Sequence, residues 1–172
     1  MTALILLAHG SRHSETKPVL EDVVALVREK MPLTRLDAPS QIRLAWLDLD
    51  EPSLDTVCAE LAAAGETQAL AVPLLFTDAF HSRVDVPEQV RLCDRHGVDI
   101  TVAEGLGLGD GTKRAVIKRI IEAAENASFS WPVDALVMGV GSSDEDANAA
   151  VHQFAENLGG MLPGHVSAAF VV

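Results

Sequence analysis

Short apolar runs alternate along this chain with segments whose apolar residues recur at helical spacing, and few architectures accept that pattern. Ala3 to Ala8, Gln41 to Leu47, Gln68 to Leu75, Asp99 to Ala103, Asp134 to Val140 and His165 to Val172 read as six strands. Leu4-Ile5-Leu6-Leu7 and Leu70-Ala71-Val72 are apolar without a break, as in strands covered by helices on both faces. Strands alternating with helices predict βαβ units, hence an α/β fold with a doubly wound parallel sheet.

The intervening segments carry helix signals. Pro18 stands where a first helical turn accepts it, and Val19, Val23, Leu26 and Val27 then fall on one face. Leu54, Val57, Cys58 and Leu61 form a second stripe ended by Gly65; Val86, Val90 and Cys93 form a third ended by Gly97. A fourth helix starts near Asp110 and is expected to bury Val116, Ile117, Ile120 and Ile121, leaving Lys113, Arg114, Lys118 and Arg119 on a solvated face. Cys58 and Cys93 lie 35 positions apart and outside any C-x-x-C pair, so both are expected as reduced core residues, without a disulfide, zinc knuckle or iron–sulfur site.

The chain repeats its own opening. Leu6-Leu7-Ala8-His9-Gly10-Ser11 aligns with Val137-Met138-Gly139-Val140-Gly141-Ser142 at an offset of 131 residues. The next strand repeats at an offset of 124, Leu44-Ala45-Trp46-Leu47 against Ala168-Ala169-Phe170-Val171. Residues 1–130 are therefore expected to form one complete domain carrying the site, and residues 131–172 the start of a second, similar domain, with Ser128 to Pro132 between them. The last strand is apolar with an unpaired edge, which is expected either to dock on the first domain of its own chain or to pair with the same segment of a second chain about a two-fold axis.

Composition removes several classes of function. With 13 basic against 25 acidic residues the net charge is −12, unfavourable for nucleic acid or an anionic membrane surface. No run reaches the length of a membrane span, and the apolar residues before His9 lack the basic flank of a signal peptide. The expected compartment is the cytoplasm.

In a doubly wound sheet, ligands bind at the carboxyl ends of the strands. His9 follows the first strand, and His81 sits in the loop after the third, so one metal reaches both if these strands are neighbours. Two imidazoles suit cobalt, nickel, iron or zinc and leave positions open for exchange. Gly10-Ser11-Arg12 reads either as a turn whose amides and guanidinium hold a carboxylate or phosphate, or as a turn made by Gly10 alone. Asp85, ahead of Val86-Pro87, is expected as a helix N-cap or as the acceptor that orients His81. Leu74, Leu75, Phe76 and Phe80 read either as an apolar wall for a flat ligand or as core. His13, His96, His152 and His165 receive no role. Gly105 to Gly111 fails the dinucleotide frame and Gly139 to Ser143 fails as a nucleophile elbow.

The run Leu6 to Arg12, the segment Arg43 to Leu47 ahead of Glu51-Pro52-Ser53-Leu54, and Val72 to Phe76 ahead of His81-Ser82-Arg83-Val84-Asp85-Val86-Pro87 resemble the CbiX/SirB sirohydrochlorin chelatases over residues 3 to about 126. The resemblance implies a class II chelatase fold and ATP-independent insertion of cobalt or ferrous iron, with nickel a further candidate, into sirohydrochlorin, an anionic tetrapyrrole. The metal is then a substrate, and no organic cofactor is implied. His9 and His81 are the metal-binding and catalytic pair by motif position; Ser11, Arg12 and Arg83 are the expected substrate-binding residues. Two weaker readings stand beside it: a non-catalytic metal or tetrapyrrole carrier using the same histidines, and a histidine phosphatase, for which Ala8 occupies the place of the required arginine.

Overall fold

The computed structural model describes residues 2–31, 38–77 and 85–171. Among them the order is β1 (Ala3–Ala8), α1 (Thr16–Lys30), β2 (Ile42–Trp46), α2 (Leu54–Ala63), β3 (Gln68–Pro73), α3 (Val86–Cys93), β4 (Asp99–Val102), α4 (Asp110–Asn126), β5 (Ala135–Gly139), α5 (Glu145–Gly159) and β6 (Val166–Phe170). The six expected strands are all present, most of them trimmed at one or both ends. The chain folds into two compact units, residues 1–75 with 80–105 and residues 76–79 with 106–172.

The first unit holds a parallel sheet of order β2-β1-β3-β4. β1 is buried from end to end because it lies between two neighbours and two helical layers. Its side chains alternate between those layers. Ile5 and Leu7 join Leu54, Val57, Leu61, Val86 and Val98 under α2 and α3. Leu4 and Leu6 meet Val24, Val23 and Val27 of α1 on the opposite face. The sheet is thus doubly wound. Each fully buried leucine or valine contributes roughly 1.5–3 kcal/mol.

α2 follows its sequence signals closely. The Ser53 hydroxyl accepts a hydrogen bond from the Thr56 amide at 3.2 Å, and all four residues of the expected stripe are fully buried. In α1 the buried position is Val24, whereas Val19 and Leu26 are half exposed. The core-facing stripe is therefore rotated from the expected one. Asp85 has helical backbone angles and makes no capping bond to α3, so the N-cap expectation is corrected. Cys58 and Cys93 are also corrected: they are joined by a disulfide, with 5.7 Å between their Cα atoms. Their separation in sequence conceals that α2 and α3 pack against each other.

The second unit has a parallel two-stranded sheet, β5-β6, under α5 and α4. The pairing reproduces that of β1 and β2. Leu4↔Ile42 through Ala8↔Trp46 becomes Ala135↔Val166 through Gly139↔Phe170, at the two offsets read from the sequence. The Asp144 carboxylate caps α5 by accepting from the Asp146 amide at 3.0 Å. Val116, Ile117, Ile120 and Ile121 are half-buried, not buried, and Leu136 and Met138 are 56% and 63% exposed. At the matching positions of β1, Ile5 and Leu7 are fully buried, because that face has helices and β3 beside it.

Candidate functional site

The carboxyl ends of β1 and β2 are brought together by a backbone device centred on Gly10. Its φ is 101°, and a Cβ there would lie 1.8 Å from the Asp48 carbonyl oxygen. Only glycine permits both the angle and the approach. The Asp48 amide donates to the His9 carbonyl at 2.9 Å, which fixes the two strand ends side by side. Beyond Gly10, the Ser11 amide donates to the Asp50 carboxylate at 3.0 Å and the Ser11 hydroxyl accepts from the His13 amide at 3.1 Å. The turn amide that a ligand carboxylate was expected to use is occupied by the protein's own carboxylate. The Ser11 O–H proton and the exposed Arg12 guanidinium keep their donor capacity.

His9 lines a cavity of about 260 Å³ together with Leu47, Asp48, Asp85, Glu88 and Gln89. One histidine and three carboxyl-bearing residues line this small space at the strand ends, in the first unit. That donor set suits a divalent first-row transition metal. Among the described residues no three such side chains converge tightly enough to hold a metal by themselves. Asp48 was missed in the sequence. Its signal was its place at the carboxyl end of β2, where the strand-end rule applies as it does to His9. Glu88 and Gln89 were missed because they enter the cavity from α3, whose approach to β1 is a tertiary fact.

β1 and β3 are hydrogen-bonded neighbours, which meets the condition set for His9 and His81 to share one metal. His81, Arg83 and Phe80 themselves lie outside the described residues. Leu75 packs with the first core cluster and Leu74 with the second, so both serve as core. Phe76 is 54% exposed and belongs to the second unit.

The second unit repeats the turn without the histidine. Gly141 has φ 90°, the Ser142 amide donates to Asn148 Oδ1 at 2.9 Å, and the Ser142 hydroxyl accepts from the Asp144 amide at 3.1 Å. Val140 stands where His9 stands. The cavity here, about 370 Å³, is lined chiefly by Phe76, Met138, Val140, Val151 and Phe170.

Elsewhere in the first unit, Asp55 of α2 pairs with Arg95 and, at 2.8 Å, with His96, in the turn after α3. The Arg95 guanidinium, and then the His96 imidazole, hold the Asp55 carboxyl below its ordinary value. His96 is thus a structural partner. His152 packs edge-on to Phe170, with ring centroids 5.2 Å apart.

A parallel doubly wound unit with candidate ligands at its strand ends defines the class, an α/β protein whose site lies at the carboxyl ends of its strands. The CbiX family profile matches residues 3–123, and the chain belongs to the CbiX family. It is 29% identical over 166 residues to the sirohydrochlorin ferrochelatase of Bacillus subtilis, covering 94% of this chain and 59% of that protein. The chain thus spans under two thirds of the length of that relative. It is 25% identical to the sirohydrochlorin cobaltochelatase of Sulfurisphaera tokodaii, covering 76% of this chain and all of that protein. Among solved structures, the SirB chelatase of Bacillus subtilis subspecies spizizenii, in complex with cobalt, matches with a TM-score of 0.79 at 24% identity, over 98% of this chain and 67% of that one. That likeness establishes the fold. A CbiX protein of Marinobacter aquaeolei matches with a TM-score of 0.62 at 31% identity, over 73% of this chain and 99% of that one. No helix among the described residues is long and apolar enough to cross a membrane.

Proposed function

We propose that this protein inserts a divalent metal, cobalt or ferrous iron, into sirohydrochlorin without ATP, which makes it a lyase of cobalamin or sirohaem synthesis. The observation that carries the reading is His9 at the end of β1, in a carboxylate-lined cavity, in a chain matched to the CbiX family over residues 3–123. Metal entry releases two pyrrole N–H protons, so a base beside the macrocycle lowers the barrier. His9 and His81 take the roles of metal ligand and proton acceptor, and Asp48 adds a carboxylate to the metal's surroundings. The Ser11 hydroxyl, Arg12 and Arg83 hold substrate carboxylates, offsetting locally the net charge of −12. We place the work in the first unit, which lies within residues 1–130, and read residues 131–172 as repeating its opening. We assign the protein to the cytoplasm, with neither nucleic acid nor membrane as partner.

We also propose a homodimer, with its seam moved from the last strand, the expected edge, to the neighbouring β5. β6 holds the place of β2, an edge in the four-stranded sheet, whereas β5 holds that of β1, which has a strand on either side. From Ala135 to Val140 the β5 edge carries no charge or proline to repel another strand. A two-fold axis at Val137 sets Leu136 opposite Met138 of the second copy. Sedimentation should then report twice 18.3 kDa, and Met138→Glu should return the mass to 18.3 kDa.

The activity is tested by mixing purified protein with sirohydrochlorin and Co²⁺, Fe²⁺ or Ni²⁺ in turn and following the absorbance of the tetrapyrrole against the uncatalysed rate. Acceleration with cobalt or iron is the expected result. Tight metal or tetrapyrrole binding without turnover would replace the enzyme by a carrier.

A further inference from the structure

The Cys58–Cys93 disulfide lies next to the His9 cavity's wall without touching the cavity. It joins α2 to α3, and both cysteines are fully buried among Leu54, Val57, Leu61 and Val86. α3 is short, eight residues, and lacks a side-chain N-cap, so its position depends on tertiary ties more than on its own helical stability. Its first turn supplies Glu88 and Gln89 to the cavity, with Asp85 just ahead. Gln89 and Cys93 are one helical turn apart, on one face, with Cys93 Sγ 3.6 Å from the Gln89 carbonyl oxygen. A displacement at Cys93 is thus transmitted to Gln89 and the cavity. The same two helices have a second tie, Asp55 to Arg95 and His96, two and three residues past Cys93 at the carboxyl end of α3, away from the turn that lines the cavity. Loss of the disulfide therefore leaves α3 attached and able to shift about that second anchor.

We propose that Cys58 and Cys93 are positioning residues whose redox state sets the placement of the α3 wall, the disulfide form being the competent one and the dithiol form, favoured in a reducing cytoplasm, the resting one. The inference rests on the cavity being the site of metal insertion. Reduction is thiol–disulfide exchange with a dithiol: one dithiol sulfur attacks a protein sulfur and breaks the S–S bond, and the second dithiol sulfur resolves the mixed disulfide. The protein gains two electrons and two protons as two thiols, and the dithiol closes to its own disulfide. Because both sulfurs are buried, exchange passes through local opening of α3.

The test uses the full chain, air-oxidised, compared with the chain reduced by dithiothreitol and desalted without oxygen. Denaturation in iodoacetamide and mass measurement should find no alkylated cysteine in the first sample and two in the second. The reduced protein should keep its far-ultraviolet spectrum and a cooperative melt, while kcat/KM for metal falls about ten-fold, mostly in KM, as expected of a misplaced wall. Reoxidation with a small-molecule disulfide should restore it, and a Cys58→Ala, Cys93→Ala double variant should match the reduced protein and ignore both reagents. Cobalt affinity, read from its visible absorption, is measured on the same samples and reports the clamp even if no turnover is found. Two alkylated cysteines in the air-oxidised chain, or equal metal affinity and kinetics in both states, would overturn the proposal.

Discussion

The strand–turn–helix opening is built twice in this molecule, and the two copies diverge at the residue that follows the strand. Each turn carries a glycine at positive φ, Gly10 and Gly141, followed by a serine whose hydroxyl accepts from the amide two residues on. In each, the serine's own amide is taken by a side-chain oxygen, from Asp50 or Asn148. On that shared frame the first copy presents His9 beside Asp48, and the second presents Val140, which is 85% exposed. The backbone device is thus separable from the side chain it presents, and on the proposed function that side chain decides which copy works. The copies also differ in support: β1 is fully buried between β2 and β3, and β5 has β6 alone as its neighbour among the described residues.

The sharpest way to break this comparison is to exchange its deciding residue. His9→Ala should lower metal insertion by about 100-fold with folding retained, whereas Val140→Ala should leave it unchanged. Equal loss in both would show that the copies share the work. The glycine pair is read in stability instead of activity. Gly10→Ala forces a Cβ to within 1.8 Å of the Asp48 carbonyl oxygen, and chemical denaturation should show a loss of about 3–4 kcal/mol. Gly141→Ala meets its nearest atom at 3.4 Å and keeps only the strain of its φ, about 1 kcal/mol.

Smaller effects sharpen the first copy's role. Arg12→Ala should raise the KM for tetrapyrrole about ten-fold with little change in kcat, and wild-type binding should weaken as salt is added. An unchanged KM would return Arg12 to the solvated surface. The smallest effect concerns the tie between α2 and α3. Asp55 is held below its ordinary value of 3.8, so its contribution to stability is fully present above that pH and is lost as pH falls towards its folded value. Asp55→Asn should reduce stability at pH 7 by up to about 1 kcal/mol, as exposed pairs do, and the difference should vanish in acid.

Strand content, parallel pairing and the internal repeat were legible in the sequence because continuous apolar runs and the glycine-serine turn are local signals. His9 was legible for the same reason, being adjacent to the strand that carries it. What escaped depended on packing between distant segments. The Cys58–Cys93 bond needed α2 beside α3, and the cavity roles of Asp48 and Glu88 needed β2 and α3 brought to the end of β1. The buried stripe of α1 was misplaced because Val19 and Leu26 share its periodicity yet stay half exposed. α4 shows the converse, since its apolar stripe was readable but is half-buried in the smaller second unit.

We propose that the metal site lies in the first copy, with His9 among its ligands. Titration of the protein with Co²⁺ under anaerobic conditions, followed by its visible absorption, tests this without the tetrapyrrole. Wild-type and Val140→Ala proteins should bind one cobalt per chain with equal affinity, and His9→Ala should bind at least about ten-fold more weakly with an altered spectrum. Cobalt binding of undiminished affinity and identical spectrum in His9→Ala would contradict the claim.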